Sequence, residues 1–145
     1  MKNKEPIFDW NKETGIASCI LTDGEREYYG EAICHDDDLD MMNEKTGCEI
    51  AFRRAGIKAL REKKRDLKLQ LSALNQLYFS MKHSKKFNSK SYENKMLQRQ
   101  IQMINFDLTT IKEMLTGEEQ RLIEYIAEKD KFYQHIRRNR AKSQG

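Results

Sequence analysis

The apolar pattern of this chain changes period at Thr46. Before it, short apolar runs alternate and are broken by glycines. After it, an apolar residue returns every three or four positions almost to the C-terminus. A two-residue period marks strands, and a period near three and a half marks helices. The expected fold is therefore α+β: a small N-terminal antiparallel β-meander, then two long α-helices forming an antiparallel hairpin. Such an architecture suits oligomers and sites built between chains better than a monomeric enzyme pocket.

The head reads in detail as three strands. Ile7 to Trp10 is the first, Ile16 to Leu21 the second and Tyr28 to Cys34 the third. Asn11 to Gly15 is turn-like, and Asp23-Gly24 is a tight-turn signal between two apolar runs. Asp36, Asp37, Asp38 and Asp40 suit the positive end of a short helix running to Met42. Thr46-Gly47-Cys48-Glu49 has capping-box spacing and predicts that the first long helix starts at Thr46. The expectation is a single domain over 1–145. It comprises a sheet head with a short helix (1–45), a long helix (46–82), a loop (83–91), a second long helix (92–139) and a frayed tail (140–145).

Both helices carry heptad-like seams. On the first they are Ile50, Ile57, Leu60, Leu67, Leu71, Leu74, Tyr78 and Met81, with Arg53 and Lys64 interrupting. Some 35 residues at 1.5 Å each give about 53 Å of helix. The second seam is Leu97, Ile101, Ile104, Leu108, Ile111, Leu115, Leu122, Tyr125, Phe132 and Ile136. Thr116-Gly117-Glu118-Glu119 could itself cap a helix, but the register survives it. One long helix, with a kink at Gly117 as an option, is preferred over two. The only proline is Pro6, so nothing forces a break.

The chain has 145 residues, 38% of them hydrophobic and 34% charged. A thin core follows, and self-association is one remedy. The net charge of +4 hides a split: residues 1–50 hold five Lys/Arg against thirteen Asp/Glu, or −8, and the remainder is +12. These are either two solvated faces, or a basic body that attracts anions or the head of another copy. Three cysteines (Cys19, Cys34 and Cys48) without a secretory signal suggest a reducing, cytosolic setting. No apolar run approaches the length of a membrane span.

Catalytic signatures are sparse. There is no Gly-rich phosphate loop, and His35, His83 and His135 are scattered, so no base can be set on a nucleophile. No enzyme activity and no cofactor are expected. The acidic run beside His35 lacks the glycine and closing glutamate of a calcium loop. Cys19, Cys34, His35 and Cys48 could meet at zinc, but no CxxC pair supports it. No metal is expected.

Three basic clusters remain. Arg53, Arg54, Lys58, Arg61, Lys63, Lys64, Arg65 and Lys68 stripe the first helix. Lys82, Lys85, Lys86, Lys90 and Lys95 surround Phe87 and Tyr92. Arg137, Arg138 and Arg140 follow Phe132 and Tyr133. Aromatics interleaved with arginines suit a nucleotide, through base stacking and two-point phosphate contacts. The plainer alternative is solvated coiled-coil flanks. Nucleic acid is disfavoured as a partner, because the −8 head repels phosphate and no reading motif is present.

Gly30-Glu31-Ala32-x-Cys34-His35-x-Asp37-Asp38-x-Asp40, then Glu44 to Ala51 and Arg54-Ala55-x-Ile57-Lys58, resembles phage proteins of the Thoeris anti-defence family, first described type. The element order is similar too. The resemblance implies a non-enzymatic sponge in the host cytoplasm. Such a protein holds the glycocyclic ADP-ribose signal of bacterial TIR proteins uncleaved, so that the immune effector is never activated. It also implies a homo-dimer or hexamer with recessed pockets near the interface and, for some members, separate pockets for cyclic oligonucleotides. It transfers no contact residue.

Residue chemistry alone nominates Phe87 or Tyr92 for base stacking and Asn88 for a base or ribose edge. Arg99, Arg137 and Arg138 are nominated for phosphates, with Arg54, Lys58 and Arg61 as a second anion site. A hairpin turning about position 87 would set residue 137 opposite residue 37, where the tail arginines and the head aspartates could simply pair. The hairpin tip and the tail would lie far apart in one chain, so a pocket using both needs a second subunit. The alternatives in function are a coiled-coil scaffold protein of a phage and a basic nucleic-acid-binding protein.

Overall fold

A computed structural model describes residues 5–34, 43–84 and 91–144, with the backbone alone for residues 137, 140, 143 and 144. Three strands, β1 (Ile7–Asn11), β2 (Ile16–Asp23) and β3 (Arg26–Ile33), precede two helices, α1 (Glu44–Lys82) and α2 (Tyr92–Gln144). The strands form one antiparallel sheet in the order β1-β2-β3, and the helices form a hairpin. The fold is the α+β arrangement that the periodicities predict.

The turns explain the register. Asn11 Oδ1 accepts the amides of Glu13 and Thr14 at 2.9 and 3.2 Å, and the Gly15 amide donates to the Asn11 carbonyl. This side-chain-built turn closes the β1–β2 hairpin, so that Trp10 faces Ala17. Between β2 and β3, Asp23 pairs with Arg26 across a two-residue loop. Gly24 there has φ +64°, a conformation that suits glycine and matches the twist of the strands.

The chain divides into two compact units, Met1–Ala59 with Gly117–Gly145, and Leu60–Thr116. In the first unit, Ala17, Cys19, Ala32, Ala51 and Ala55 form a buried cluster, with Trp10, Leu21, Cys48 and Ile50 packed around it. Gly47, Ala51 and Ala55 recur every four residues, so they line one face of α1. They meet Ala17, Gly30 and Ala32, which share one face of the sheet by register. Small residues on both sides bring the helix backbone onto the strand.

In the second unit the described residues belong to α1 and α2 and to the few positions that flank them. Leu97, Leu108, Ile111 and Leu115 are buried there, and Leu67, Leu71, Leu74, Tyr78 and Met81 are half-buried. Polar residues between them stay exposed, as a seam requires. No described helix is long and apolar enough to cross a membrane.

Three details differ from the sequence reading. The first long helix begins at Glu44, because Asn43 is the cap: its Oδ1 accepts the Thr46 amide at 3.2 Å. Thr46 is instead a buried residue of the first turn. The second helix starts at Tyr92, capped by Ser91 Oγ to the Asn94 amide at 3.3 Å, but runs on to Gln144 rather than stopping at Asn139. As the surviving register predicts, it passes Gly117 unbroken, and Thr116 donates to the Lys112 carbonyl rather than capping a new helix. Phe132 is 57% exposed, and its neighbour Tyr133 takes the inward position. The short helix expected at 36–42 lies outside the described residues.

Candidate functional site

The concave feature of interest lies in the first unit. A cleft of about 240 Å³ is lined by residues of all three of its layers. The sheet supplies Trp10 and Ala32, the start of α1 supplies Asn43, Gly47, Ile50 and Arg54, and the end of α2 supplies Ile126, Lys129, Asp130 and Tyr133. Aromatic, cationic and carboxylate groups thus border one recess with an apolar floor.

Local structure positions each group. On α2, Ile126, Lys129, Asp130 and Tyr133 follow three- and four-residue steps, so they share a face. The seam carries Lys129 where an apolar residue would continue it. Lys129 lies over the Tyr125 ring, with Nζ 5.4 Å from the centroid, and Arg53 lies 5.3 Å from the same centroid. Arg53 is also paired with Glu49 at 3.0 Å and approaches Glu118 at 4.0 Å, while Glu118 bonds Arg121. Arg54 donates to the Glu31 carbonyl at 2.7 Å, which tethers its guanidinium at the edge of β3. A guanidinium has five donors, so others remain to meet an anion.

The thiols sit close to this cleft. Cys34 lines it, and its amide donates to the Gly15 carbonyl. Burial, and then the neighbouring Cys48, push the Cys19 thiol up. Burial, with Glu44 and Asp9, does the same to Cys48. A raised pKa keeps the Cys19 and Cys48 thiols protonated near neutral pH. Tyr29 donates to Glu31 at 2.6 Å, and that bond raises its phenol. Among the described residues, no group of three His, Cys, Asp or Glu could hold a metal ion. His83 packs on Phe79 and His135 pairs with Asn139, and neither lines the cleft.

Among the described residues nominated from sequence, Arg54 alone lines the cleft. Lys58 lies over the Tyr29 ring at 5.7 Å, and Arg61 falls in the second unit with partners of its own. Tyr92 is 77% exposed at the start of α2, and Arg99 is exposed on the same helix. Arg138 is exposed near the end of α2, and of Arg137 the backbone alone is described. Phe87 and Asn88, like Asp36, Asp37 and Asp38, lie outside the described residues.

Trp10, Lys129, Asp130 and Tyr133 were not nominated. Their signal was a lysine standing in an apolar seam, followed by a tyrosine one position off the heptad. No protein-family model, no curated protein and no solved structure matches this chain.

Proposed function

We propose that this protein binds and sequesters a nucleotide immune signal of the cyclic ADP-ribose type, glycocyclic ADP-ribose, without cleaving it. It would thereby block Thoeris immunity in the host cytoplasm, with cyclic oligonucleotides as a further ligand class. One observation carries this reading: Trp10 and Tyr133 share a recess with Arg54 and Lys129. Flat aromatic surfaces hold a base and cations hold phosphate.

The size of the recess bears on assembly. At about 240 Å³ it falls below the ~300–1,000 Å³ typical of sites that engulf a whole drug-sized ligand. It suits one nucleotide half of a cyclic dinucleotide-like signal. A second subunit, in a dimer or a hexamer, would then hold the rest.

The scaffold reading has its own support. Leu69, Leu77, Phe79, Met103 and Phe106 in the second unit are each more than half exposed. Apolar helix faces of that kind favour association.

Calorimetric titration of the purified protein with glycocyclic ADP-ribose tests the proposal, followed by heating and mass analysis of the released ligand. Binding with intact recovery is expected. A converted product would replace the sponge with an enzyme. Absence of heat with this ligand and with cyclic oligonucleotides would leave the scaffold.

A further inference from the structure

We infer that the outer face of the sheet docks onto the basic, phenylalanine-bearing helix faces of a second copy of this chain. The contact needs no nucleotide, so it stands or falls apart from the reading above.

The sheet supplies the first observation. Successive residues of a strand point to opposite faces. Ala17, Cys19, Gly30 and Ala32 turn towards α1, so Ile16, Ser18, Ile20, Tyr29 and Glu31 turn away from it. An antiparallel sheet with one solvated side reads apolar inward and polar outward. β2 breaks that rule, with Ile16 and Ile20 on its outer side. The register sets an apolar row, Ile7, Ile20 and Tyr29, beside an acidic one, Asp9, Ser18 and Glu31. Glu27, opposite Thr22, lies on the other side of the apolar row. Ile7 is 59% exposed and Tyr29 45%. Exposed apolar groups rimmed by charge mark a contact surface rather than a solvated one.

The second unit supplies the complement. On α1, Arg61, Arg65, Lys68, Ser72, Gln76 and Phe79 follow steps of three and four, so they share a face, and all are exposed. On α2, Lys95, Arg99, Gln102 and Phe106 do the same. Neither set holds an acid, whereas a helix face that is merely solvated alternates in sign and carries no outward phenylalanine.

Charge complementarity pairs the two surfaces: cations meet Asp9, Glu27 and Glu31, and rings meet Ile7, Ile20 and Tyr29. The sheet already receives one cation in this way, for Lys58 of the same chain lies 5.7 Å from the Tyr29 centroid. The spacing agrees as well. The apolar and acidic rows lie about 7 Å apart along the strands. Phe106 and Arg99 lie about 10 Å apart along α2, and an extended arginine closes the difference. The other apolar stripe of α1, Leu69 with Leu77, is a worse partner. Glu62 and Asp66 precede it on the same face, and they repel the sheet. The two docking surfaces differ, so the contact is heterologous and copies join head to body.

Sedimentation equilibrium of the full-length protein at about 0.1 M and about 1 M salt tests the contact. One variant is Arg65→Glu with Lys68→Glu, the other Asp9→Lys with Glu27→Lys. All four positions are exposed, and circular dichroism checks that each variant folds. Where the lysines disturb the strands, Asp9→Asn with Glu27→Gln takes their place. The wild type is expected to associate at low salt and to lose about ten-fold or more in association constant at high salt. Each variant alone should associate about ten-fold more weakly than the wild type at low salt. The two charge-reversed variants, once mixed, should recover wild-type association, because each reversed surface then meets its opposite. A monomeric wild type, an association that neither variant weakens, or a charge-reversed mixture that does not recover overturns the inference. A monomeric wild type that binds single-stranded RNA through Arg65 and Lys68 overturns it too, and gives the helix face to nucleic acid.

Discussion

Gly30 of β3 lies against the backbone of α1 so closely that a β-carbon there would collide with the Ala51 carbonyl oxygen. The same β-carbon would stand 2.5 Å from the Ala55 amide nitrogen and 3.0 Å from its methyl group. Two of these obstacles are backbone, which cannot rotate aside. Gly30→Ala should therefore move the whole helix off the strand, at a cost of about 3 kcal/mol. Urea unfolding followed by circular dichroism measures it, and wild-type stability would contradict this helix–sheet contact.

Asn43 caps α1 through the Thr46 amide and also lines the cleft. Asn43→Ala should cost about 1 kcal/mol in stability. The same change leaves the first-turn amides less well ordered beside the recess. Thermal unfolding reads the first effect, and a helix that starts at Thr46 instead would show no loss.

Alkaline pH should weaken the fold. Burial raises the Cys19 and Cys48 thiols in the folded protein, and the bond to Glu31 raises the Tyr29 phenol. Each group gives up its proton more readily in the unfolded chain. The unfolded state thus binds fewer protons once pH passes about 9, the ordinary thiol value, and stability falls as pH climbs towards the folded values. Below that window the contribution is constant. Tm at pH 10.5 should lie below Tm at pH 7.5, and Cys19→Ala with Cys48→Ala should flatten the slope. An equal slope in wild type and variant would remove the thiols as its cause.

The hairpin was legible because its seams repeat. Leu67, Leu71, Leu74 and Tyr78 and, opposite in sequence, Leu97, Leu108, Ile111 and Leu115 all withdraw from solvent where the heptad places them. The pattern misled at Phe132 because a straight α-helix drifts against a strict seven-residue repeat, and Tyr133 turns inward instead. It misled at Thr46 because Asn43, three residues earlier, is a better cap than a threonine. The cleft was hidden for a different reason. Trp10, Arg54 and Tyr133 come from a strand and two helices, and only the tertiary fold brings them together. Residue chemistry chose arginines where they were dense in sequence, at the tail. The recess uses one arginine from a long stripe and a lysine that breaks an apolar seam.

The tail arginines can be tested apart from the cleft. Arg137→Ala with Arg138→Ala should reduce signal binding and leave the oligomer unchanged if these residues hold phosphate. Calorimetry paired with light scattering separates the two readouts. Unchanged affinity removes both residues from the site, and a changed oligomer with intact binding assigns them to assembly.

Arg54 and Lys129 should carry more of the affinity than the tail. Arg54 is held by the Glu31 carbonyl and Lys129 rests on Tyr125, so both are pre-positioned and lose little freedom when an anion arrives. Charge-assisted hydrogen bonds contribute about 1.5–3 kcal/mol each, and each 1.4 kcal/mol is ten-fold in affinity. Removing both should then weaken glycocyclic ADP-ribose binding at least 100-fold. Neither side chain belongs to the buried cluster, so Arg54→Ala with Lys129→Ala should unfold within a few degrees of the wild type. Higher salt should weaken the wild-type complex and barely change what remains in the variant, because the screened charges are the ones removed. If the double variant binds as the wild type does, the phosphates lie elsewhere and the cleft is not the nucleotide site.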